Sequence, residues 1–408
     1  MKHPIPTLLL AGFTALAAHS SEPAKDYFFQ PKDRILFLGD SITEQYEYST
    51  YIELYLTSRF PAANFFFLNA GISGDTARGG AARFKEQVLD EKPTKVTINF
   101  GMNDGGYGKF NAKANQLFIA ETSSMLKMAR DAGVRVALFS PNAIDPRVHP
   151  NVTEYLETQR EFYSPLATCA REFGVPYVDQ YGITRAAQER MTRLDPKAQQ
   201  FKPYIDGVHT LPAGAMLMAH TILTGLKSPA LVSQADIDAA TGQAQGTECV
   251  LGELKASNRS VSFRRQDQAL PWPMQKDWVS MLAFTNQLKD LNWYGLKVAG
   301  LQEGSYAVRI DGEEVARFSA TELATGVNLG TLSAGPVWKH GQDLFQAINV
   351  KNRLVHKRFF GVHLASLLGE HKTVELQKRL DQIIAAQTRV NKLAQPRAHL
   401  FEVVAAAP

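Results

Sequence analysis

Between residues 33 and 227, short apolar runs alternate with longer helical patterns, and this alternation constrains the fold more than any other feature of the chain. The apolar runs have the length and continuous hydrophobicity of buried parallel strands. They span residues 34–38, 64–69, 95–100, 134–139 and 175–178. The intervening patterns predict helices over residues 48–60, 77–90, 111–132, 151–173 and 212–227. Such alternation is typical of βαβ units and predicts an α/β fold, with a parallel sheet covered by helices on both faces.

The loops that follow the predicted strands carry small, polar, turn-forming residues. Residues 39–41 (Gly-Asp-Ser) follow the first strand, 71–74 (Gly-Ile-Ser-Gly) the second and 101–104 (Gly-Met-Asn-Asp) the third. Residues 206–209 (Asp-Gly-Val-His) come further on after the fifth, just before the last predicted helix. Because ligands of open parallel sheets bind outside the carboxyl ends of the strands, we expect the functional site at this edge.

Ser41 is a candidate nucleophile, since it stands at the end of a buried strand. A serine needs a base to take its proton, and the base needs a carboxylate to hold its tautomer. Asp206 and His209, three residues apart, can pair across one turn and leave the far imidazole nitrogen free for Ser41. The same residues could instead only cap helices at these loops. A second pair, Asp145 and His149, is less suited because the prolines that follow them favour extended backbone.

Acyl transfer also needs hydrogen-bond donors for a developing oxyanion. Gly74 can offer its backbone N–H and, having no side chain, lets a substrate approach closely. Asn103 can offer a side-chain amide. From the residues alone, these loops could equally be a plain β-turn and an Asx-turn.

The four segments, taken in order, resemble the sequence blocks of the SGNH or GDSL hydrolases. Residues 39–43 (Gly-Asp-Ser-Ile-Thr) are similar to the first block, and Gly74 matches the glycine of the second. Residues 101–104 resemble the third block, Gly-x-Asn-Asp, and residues 206–209 the fifth, Asp-x-x-His. The resemblance covers residues 33 to about 227. Thr210 departs from it, because many members have proline or leucine after the histidine.

The resemblance implies a flavodoxin-like three-layer α/β/α sandwich and a catalytic triad of Ser41, His209 and Asp206. It also implies an oxyanion hole made by the N–H groups of Ser41 and Gly74 and the amide of Asn103, with Gly71 as an alternative to Gly74. No cofactor and no metal are expected.

We therefore predict an esterase that cleaves short acyl esters, in particular acetyl groups on carbohydrates or other small molecules. A lysophospholipase or arylesterase of the same family is an alternative. Other classes also remain open. The carboxylates at the functional edge could hold a metal for phosphoester cleavage, or the chain could bind carbohydrate without catalysis. The carboxylates in question are Asp40, Asp75, Asp104 and Asp206.

Residues 1–18 resemble a signal peptide, with a positive start, an apolar segment over residues 8–18 and small residues near its end. We expect export to the periplasm or the medium. The apolar segment is too short to span a bilayer. With a net charge of +4 and both signs interspersed, the chain gives no indication of binding nucleic acid.

The second half of the chain differs in composition. Residues 228–249 are rich in Ala, Gly, Gln and Ser and predict a linker, residues 250–335 predict a smaller β-rich unit, and residues 336–408 predict C-terminal helices. All four tryptophans lie after residue 270, where we expect them to fill a small core or the interface with the first half of the chain. Stacking of exposed tryptophans on sugar rings is the alternative. We expect the aromatic neighbours Phe359 and Phe360 to anchor the basic segment 351–358 to a core, with binding of an acidic partner as the alternative. Pairing of Cys169 with Cys249 stays open.

Overall fold

A five-stranded parallel sheet forms the centre of the first half of the protein. The computed structural model describes residues 22–148, 153–365 and 367–406. The strand order is β2-β1-β3-β4-β5, and all neighbours are parallel. This order is that of flavodoxin-like folds. The strands are β1 (Arg34–Gly39), β2 (Phe66–Gly71), β3 (Lys95–Asn99), β4 (Arg135–Phe139) and β5 (Tyr177–Val178).

Eight helices accompany this sheet in the described residues before 228, so the predicted α/β fold is confirmed. Contacts between α3, α4 and α6 form one layer, and contacts between α2, α7 and α8 form the other. The helices are α1 (Ser41–Glu44), α2 (Glu47–Arg59), α3 (Ala77–Gln87), α4 (Ala112–Asp131), α5 (Thr153–Tyr163), α6 (Pro165–Phe173), α7 (Gln180–Leu194) and α8 (Pro212–Gly225).

Two further sheets share a second hydrophobic core. Their strand orders are β13-β10-β6-β7 and β12-β11-β14-β9-β8. The strands are β6 (Leu231–Asp238), β7 (Gln243–Thr247), β8 (Cys249–Ser257), β9 (Ser260–Asp267), β10 (Trp293–Ala299), β11 (Ser305–Ile310), β12 (Glu313–Ser319), β13 (Val327–Asn328) and β14 (Ala398–Ala405).

Three α-helices lie in the described residues after 228: α9 (Ala320–Thr325), α10 (Pro336–Arg358) and α11 (Gly369–Leu393). Leu344 and Ile348 of α10 and Ile383 of α11 belong to the same core as the parallel sheet. The buried Trp272 and Trp278 also belong to this core, and they contact the rings of Tyr55 and Tyr51 on α2. These two tryptophans therefore fill a core, as expected.

For the second half, the predicted C-terminal helices are confirmed, whereas one expectation is wrong and another is incomplete. The predicted linker, residues 228–249, contains β6 and β7. In β6, buried Ala235 and Ile237 alternate with polar residues, but the buried polar Ser233 at the next alternating position hid the pattern. The helical C-terminal region, residues 336–408, also contains β14, which pairs with both β9 and β11.

The structure tests the prediction on the cysteine pair, but it does not test the predicted signal peptide. Cys169 and Cys249 are both buried and unpaired, and the thiol of Cys249 donates to the Gln234 carbonyl at 3.3 Å. The predicted signal peptide, residues 1–18, lies outside the described residues. Among the helices that the structure describes, none is long and apolar enough to cross a bilayer.

Candidate active site

The turn between β1 and α1 holds Ser41 at the carboxyl edge of the sheet. Asp40 caps α1, because its Oδ1 accepts a hydrogen bond from the Ile42 N–H at 3.0 Å. A Cβ at Gly39 would lie 2.7 Å from the carbonyl oxygen of Asn99 and still closer to Thr43, so only glycine fits there. Ser41 is thus the first residue of a helix, where backbone N–H groups have no intrahelical acceptor.

The structure brings Ser41, His209 and Asp206 together, although 168 residues separate the first two. His209 Nε2 lies 2.8 Å from Ser41 Oγ, and His209 Nδ1 lies 2.7 Å from Asp206 Oδ2. The other carboxylate oxygen, Asp206 Oδ1, accepts from the N–H groups of Val208 and His209. Partial burial alone raises the pKa of Asp206, but these hydrogen bonds outweigh it and lower the pKa below its usual value.

Gln45 joins the Ser41 turn to the His209 loop. Its Nε2 donates to the Thr210 carbonyl at 3.1 Å, and its Oε1 accepts from the Thr210 N–H at 3.3 Å. Glu47 Oε2 lies 3.4 Å from the Thr210 hydroxyl. Burial raises the pKa of Glu47 to about 7, although the hydrogen bond with Thr210 opposes the rise. Thr210, the departure from the family pattern, is therefore held on both its backbone and its side chain.

The two candidate glycines of the second loop differ in what their N–H groups do. The Gly71 N–H donates to Asn69 Oδ1 at 2.9 Å, so it is already engaged. For the Gly74 N–H, the residues that the structure describes offer no hydrogen-bond acceptor. Gly74 also has a φ of +74° and open space around the position of a Cβ. This arrangement favours Gly74 over Gly71 as an oxyanion donor.

Asn103 is fixed in the third loop by contacts on both ends of its amide. Its Nδ2 donates to the Asp75 carbonyl at 2.8 Å, and its Oδ1 accepts from the Tyr107 hydroxyl at 3.2 Å. One N–H of the amide is left for another acceptor. Asp104 Oδ1 accepts from the Ala77 N–H at 3.0 Å, which ties this loop to the start of α3.

The carboxylates at this edge serve the loop backbones and an arginine rather than a common centre. Asp75 pairs with Arg83 at 2.8 Å. Burial raises the pKa of Asp40 to about 7 and that of Asp104 to about 6, and repulsion between the neighbouring carboxylates adds to both. In the ranges 22–148, 153–365 and 367–406, no three His, Cys, Asp or Glu residues are grouped as metal ligands would be.

The alternative pair is not available as a dyad in the described residues. Both oxygens of Asp145 bind the guanidinium of Arg147, at 2.9 and 2.6 Å, and this ion pair is buried. The predicted partner, His149, lies outside the described residues. Asp145 thus already has a cationic partner two residues away.

Sequence reasoning did not find Gln45, Arg83 or Tyr107. Gln45 contacts a loop 165 residues away, so spacing gives no signal for it, and the ion pair of Arg83 with Asp75 spans eight residues, which is no regular helical or strand spacing. The position of Gln45, one turn after Ser41 and facing the same edge, is the only local hint.

Taken together, a parallel sheet of this order and a Ser-His-Asp cluster at its carboxyl edge define a flavodoxin-like α/β protein with a hydrolase-type site.

Comparison with known proteins gives the family. The profile of the GDSL-like lipase/acylhydrolase family matches residues 37–217. Esterase TesA of Pseudomonas aeruginosa is 31% identical over 175 residues, which are 42% of this chain and 79% of that protein. An acetylxylan esterase of Geobacillus stearothermophilus is 26% identical over 213 residues, 47% of this chain and 92% of that protein. The chain belongs to the GDSL-like lipase/acylhydrolase family, and it is a hydrolase that acts on ester bonds.

Two further similarities differ in extent. An arylesterase of Vibrio mimicus is 28% identical over 183 residues, 43% of this chain and 86% of that protein. The solved structure of a gut microbial diltiazem-metabolizing enzyme superposes with a TM-score of 0.81 at 22% identity, over 95% of this chain and 100% of that one. This second likeness is one of fold, and it includes the β-rich region and the C-terminal helices.

Proposed function

We propose that the protein is a serine esterase that removes short acyl groups, chiefly acetyl, from carbohydrates. The observation that carries this proposal is the continuous contact from Asp206 through His209 to Ser41, at 2.7 and 2.8 Å. Both distances are within hydrogen-bond range before any substrate is bound, which suits a nucleophile, a base and a group that orients the base.

The proposed reaction begins with proton transfer from Ser41 Oγ to His209 Nε2 as Oγ attacks the ester carbonyl carbon. Asp206 accepts from His209 Nδ1 and stabilises the imidazolium. The oxyanion accepts hydrogen bonds from the N–H groups of Ser41 and Gly74 and from the Asn103 amide. His209 then protonates the leaving alcohol, and the C–O bond to the alcohol breaks. Water, deprotonated by His209, attacks the acyl-enzyme and releases the carboxylic acid and Ser41.

The carbohydrate substrate is supported by two observations. The first is the similarity to an acetylxylan esterase. The second is the openness of the site, since the side chains of His209 and Asp206 are 34% and 47% exposed. An open site admits an ester carried on a large, polar molecule. Arylester hydrolysis is a second candidate, favoured by the similarity to the arylesterase.

We also propose that the protein is exported, on the basis of residues 1–18. The mass of the protein recovered from its natural host tests this directly. A mass that lacks these residues is expected, and a mass that includes them would contradict export.

The test of the proposed function measures acetate release from an acetylated xylooligosaccharide and from p-nitrophenyl acetate. Ser41→Ala is expected to lose about 10⁴-fold or more in kcat on both, because the nucleophile is gone. Ser73→Ala is the matched control, since it removes an exposed serine hydroxyl from the adjacent loop. Activity is expected to be unchanged in the presence of EDTA. Hydrolysis that survives Ser41→Ala and is lost with EDTA would replace the triad with a metal-dependent mechanism.

A further inference from the structure

A cavity of about 330 Å³ lies between the start of α2 and the last turns of α10. We call it the α10 cavity. It brings together side chains from the two halves of the chain, and its lining includes Glu44, Gln45, Tyr46, Arg353, His356 and Lys357. The last three residues come from the basic segment 351–358, for which binding of an acidic partner was the alternative prediction.

One wall of the α10 cavity also belongs to the candidate active site. Glu44 lies one helical turn after Ser41, and side chains at that spacing are about 5 to 6 Å apart at Cβ. The Glu44 carboxylate accepts from the Ser73 N–H, next to Gly74. Gln45 binds the backbone of Thr210, next to His209. Glu44 and Gln45 therefore connect the lining of the α10 cavity to the loops that carry Gly74 and His209.

The other wall is cationic. Arg353 and Lys357 are exposed, and the described part of the chain provides no carboxylate that pairs with either side chain. His356 is half-buried, with its ring edge-on to Tyr46 at 5.7 Å and stacked on Phe360 at 4.4 Å. This stacking fixes the imidazole at the cavity wall. The basic lining continues beyond the cavity, because His356 and Lys357 also line the adjoining groove between α10 and α11.

Among the described residues that line the cavity, Glu44 is the one carboxylate, and its charge offsets only part of the positive charge of Arg353 and Lys357. Glu44 already accepts a backbone hydrogen bond on the opposite side of the cavity. Two permanent cations thus face the cavity against one engaged carboxylate. A carboxylate, sulfate or phosphate group is attracted by the charge of these cations, whereas a neutral carbohydrate gains no net charge attraction from them.

We propose that the α10 cavity binds an anionic group on the alcohol part of the substrate, and that Arg353 and Lys357 determine this specificity. The inference rests on the proposed function and narrows it to acyl esters of acidic carbohydrates. The proposal also gives α10 a role in substrate selection, since the cations among the described lining residues all come from this helix.

The test uses a matched pair of substrates: an acetylated oligomer of a uronic acid, and the same oligomer with its carboxylates converted to neutral amides. Acetate release is measured for both on each enzyme preparation, so that the ratio of the two kcat/KM values is independent of the amount of folded protein. We expect the wild type to prefer the acid by about tenfold, a few-fold for each charge that faces the substrate. Raising the salt from about 50 mM to about 0.5 M is expected to reduce the ratio, because exposed charges are screened.

Arg353→Gln/Lys357→Gln is expected to bring this ratio to within about twofold of one, since both cations that carry the preference are removed. The control is Arg389→Gln/Lys392→Gln, which removes the same charge from exposed positions on α11 and is expected to keep the wild-type ratio. Acetylated oligomers that carry sulfate or phosphate at the same position show which anion the cavity prefers.

A wild-type ratio near one, a ratio that persists in Arg353→Gln/Lys357→Gln, or failure to hydrolyse either oligomer would each overturn the inference. The failure of the proposed function is a different result. If Ser41→Ala still releases acetate, the esterase mechanism is wrong whatever the ratio. If hydrolysis depends on Ser41 and the ratio is one, only the assignment of the α10 cavity is wrong.

Discussion

The backbone N–H groups at the site differ in whether they already donate a hydrogen bond within the protein. The N–H groups of Ser41 and Gly74 have no acceptor among the described residues, whereas the Gly71 N–H already binds Asn69. The Asn103 amide is held by Asp75 and Tyr107, so its orientation is set before substrate arrives. Donors that are fixed in advance stabilise a developing oxyanion without the cost of reorganisation.

Replacing Asn103 tests this role at the scale of a single residue. Asn103→Ala is expected to lower kcat for p-nitrophenyl acetate by about 10²- to 10³-fold with a small change in KM, because the lost hydrogen bond forms mainly in the transition state. Asn115→Ala is a control that removes a half-buried asparagine from α4, whose Nδ2 binds the Phe162 carbonyl. An unchanged kcat in Asn103→Ala would remove Asn103 from the proposed oxyanion hole.

At this scale, sequence analysis finds residues whose partners are close in the chain or belong to recognised blocks. Asp206 and His209 stand three residues apart, and their pairing is a local event. Gln45 was missed because its partner is 165 residues away, and because a glutamine beside a serine has no characteristic chemistry.

The elements of the site are held together by contacts between loops. The paired hydrogen bonds of Gln45 with Thr210 link the α1 turn to the loop that precedes α8. They fix the distance between the element that carries Ser41 and the element that carries His209. A small displacement between a nucleophile and its base has a large effect on rate.

Gln45→Ala is therefore expected to lower kcat by about 10- to 100-fold through misplacement of His209, with KM within about twofold of the wild type. Steady-state kinetics on p-nitrophenyl acetate measure both constants. Gln382→Ala, at an exposed position of α11, is the matched control. If Gln45→Ala changed KM and left kcat intact, the residue would contact substrate instead of positioning the base.

Helices and strands were predicted from the sequence where their buried faces are apolar. The five strands of the parallel sheet are rich in buried apolar residues, and each was found within two residues of its observed start. Helix α7 was missed although it has 15 residues, because three of the residues on its buried face are polar. These are Gln180, Thr184 and Gln188, at helical spacing but without a hydrophobic signal.

The whole molecule has two hydrophobic cores, and segments that are not consecutive in the chain contribute to each core. Helices α10 and α11 pack on the core of the parallel sheet, while β14, which comes after them, completes the second core. Sequence composition suggested consecutive units because it cannot show which distant segments pair. Strand β14 lies between β9 and β11. The alternating sequence of a short strand does not determine which strands it pairs with, so this position could not be predicted.

A buried ion cluster links the two halves and gives a pH-dependent prediction. Glu91 binds Arg358 at 2.6 Å and His363 at 2.7 Å, and it also pairs with Arg34 of β1. Burial alone raises the pKa of Glu91, but these partners outweigh it and hold the pKa at about 2. A carboxyl with a lowered pKa in the folded state stabilises the fold above its unfolded pKa, and the contribution is lost as the pH falls toward the folded value.

Glu91→Gln is therefore expected to reduce the free energy of unfolding by about 3 kcal/mol at pH 7, with the difference from the wild type shrinking between about pH 5 and pH 2. Urea unfolding at several pH values measures it. Glu86→Gln is the control, since its carboxylate is exposed in the ion pair with Lys372 and such a pair contributes little to stability. Equal effects of the two substitutions at pH 7 would contradict a linking role for Glu91.

The central claim is that Ser41 is a nucleophile activated by His209. Labelling with a fluorophosphonate, followed by mass spectrometry of the digested protein, tests it most directly. The adduct is expected on the peptide that contains Ser41 in the wild type, and the labelling rate is expected to fall about 10³-fold or more in His209→Ala. An adduct on another residue, or none from an enzyme that still hydrolyses p-nitrophenyl acetate, would contradict the account.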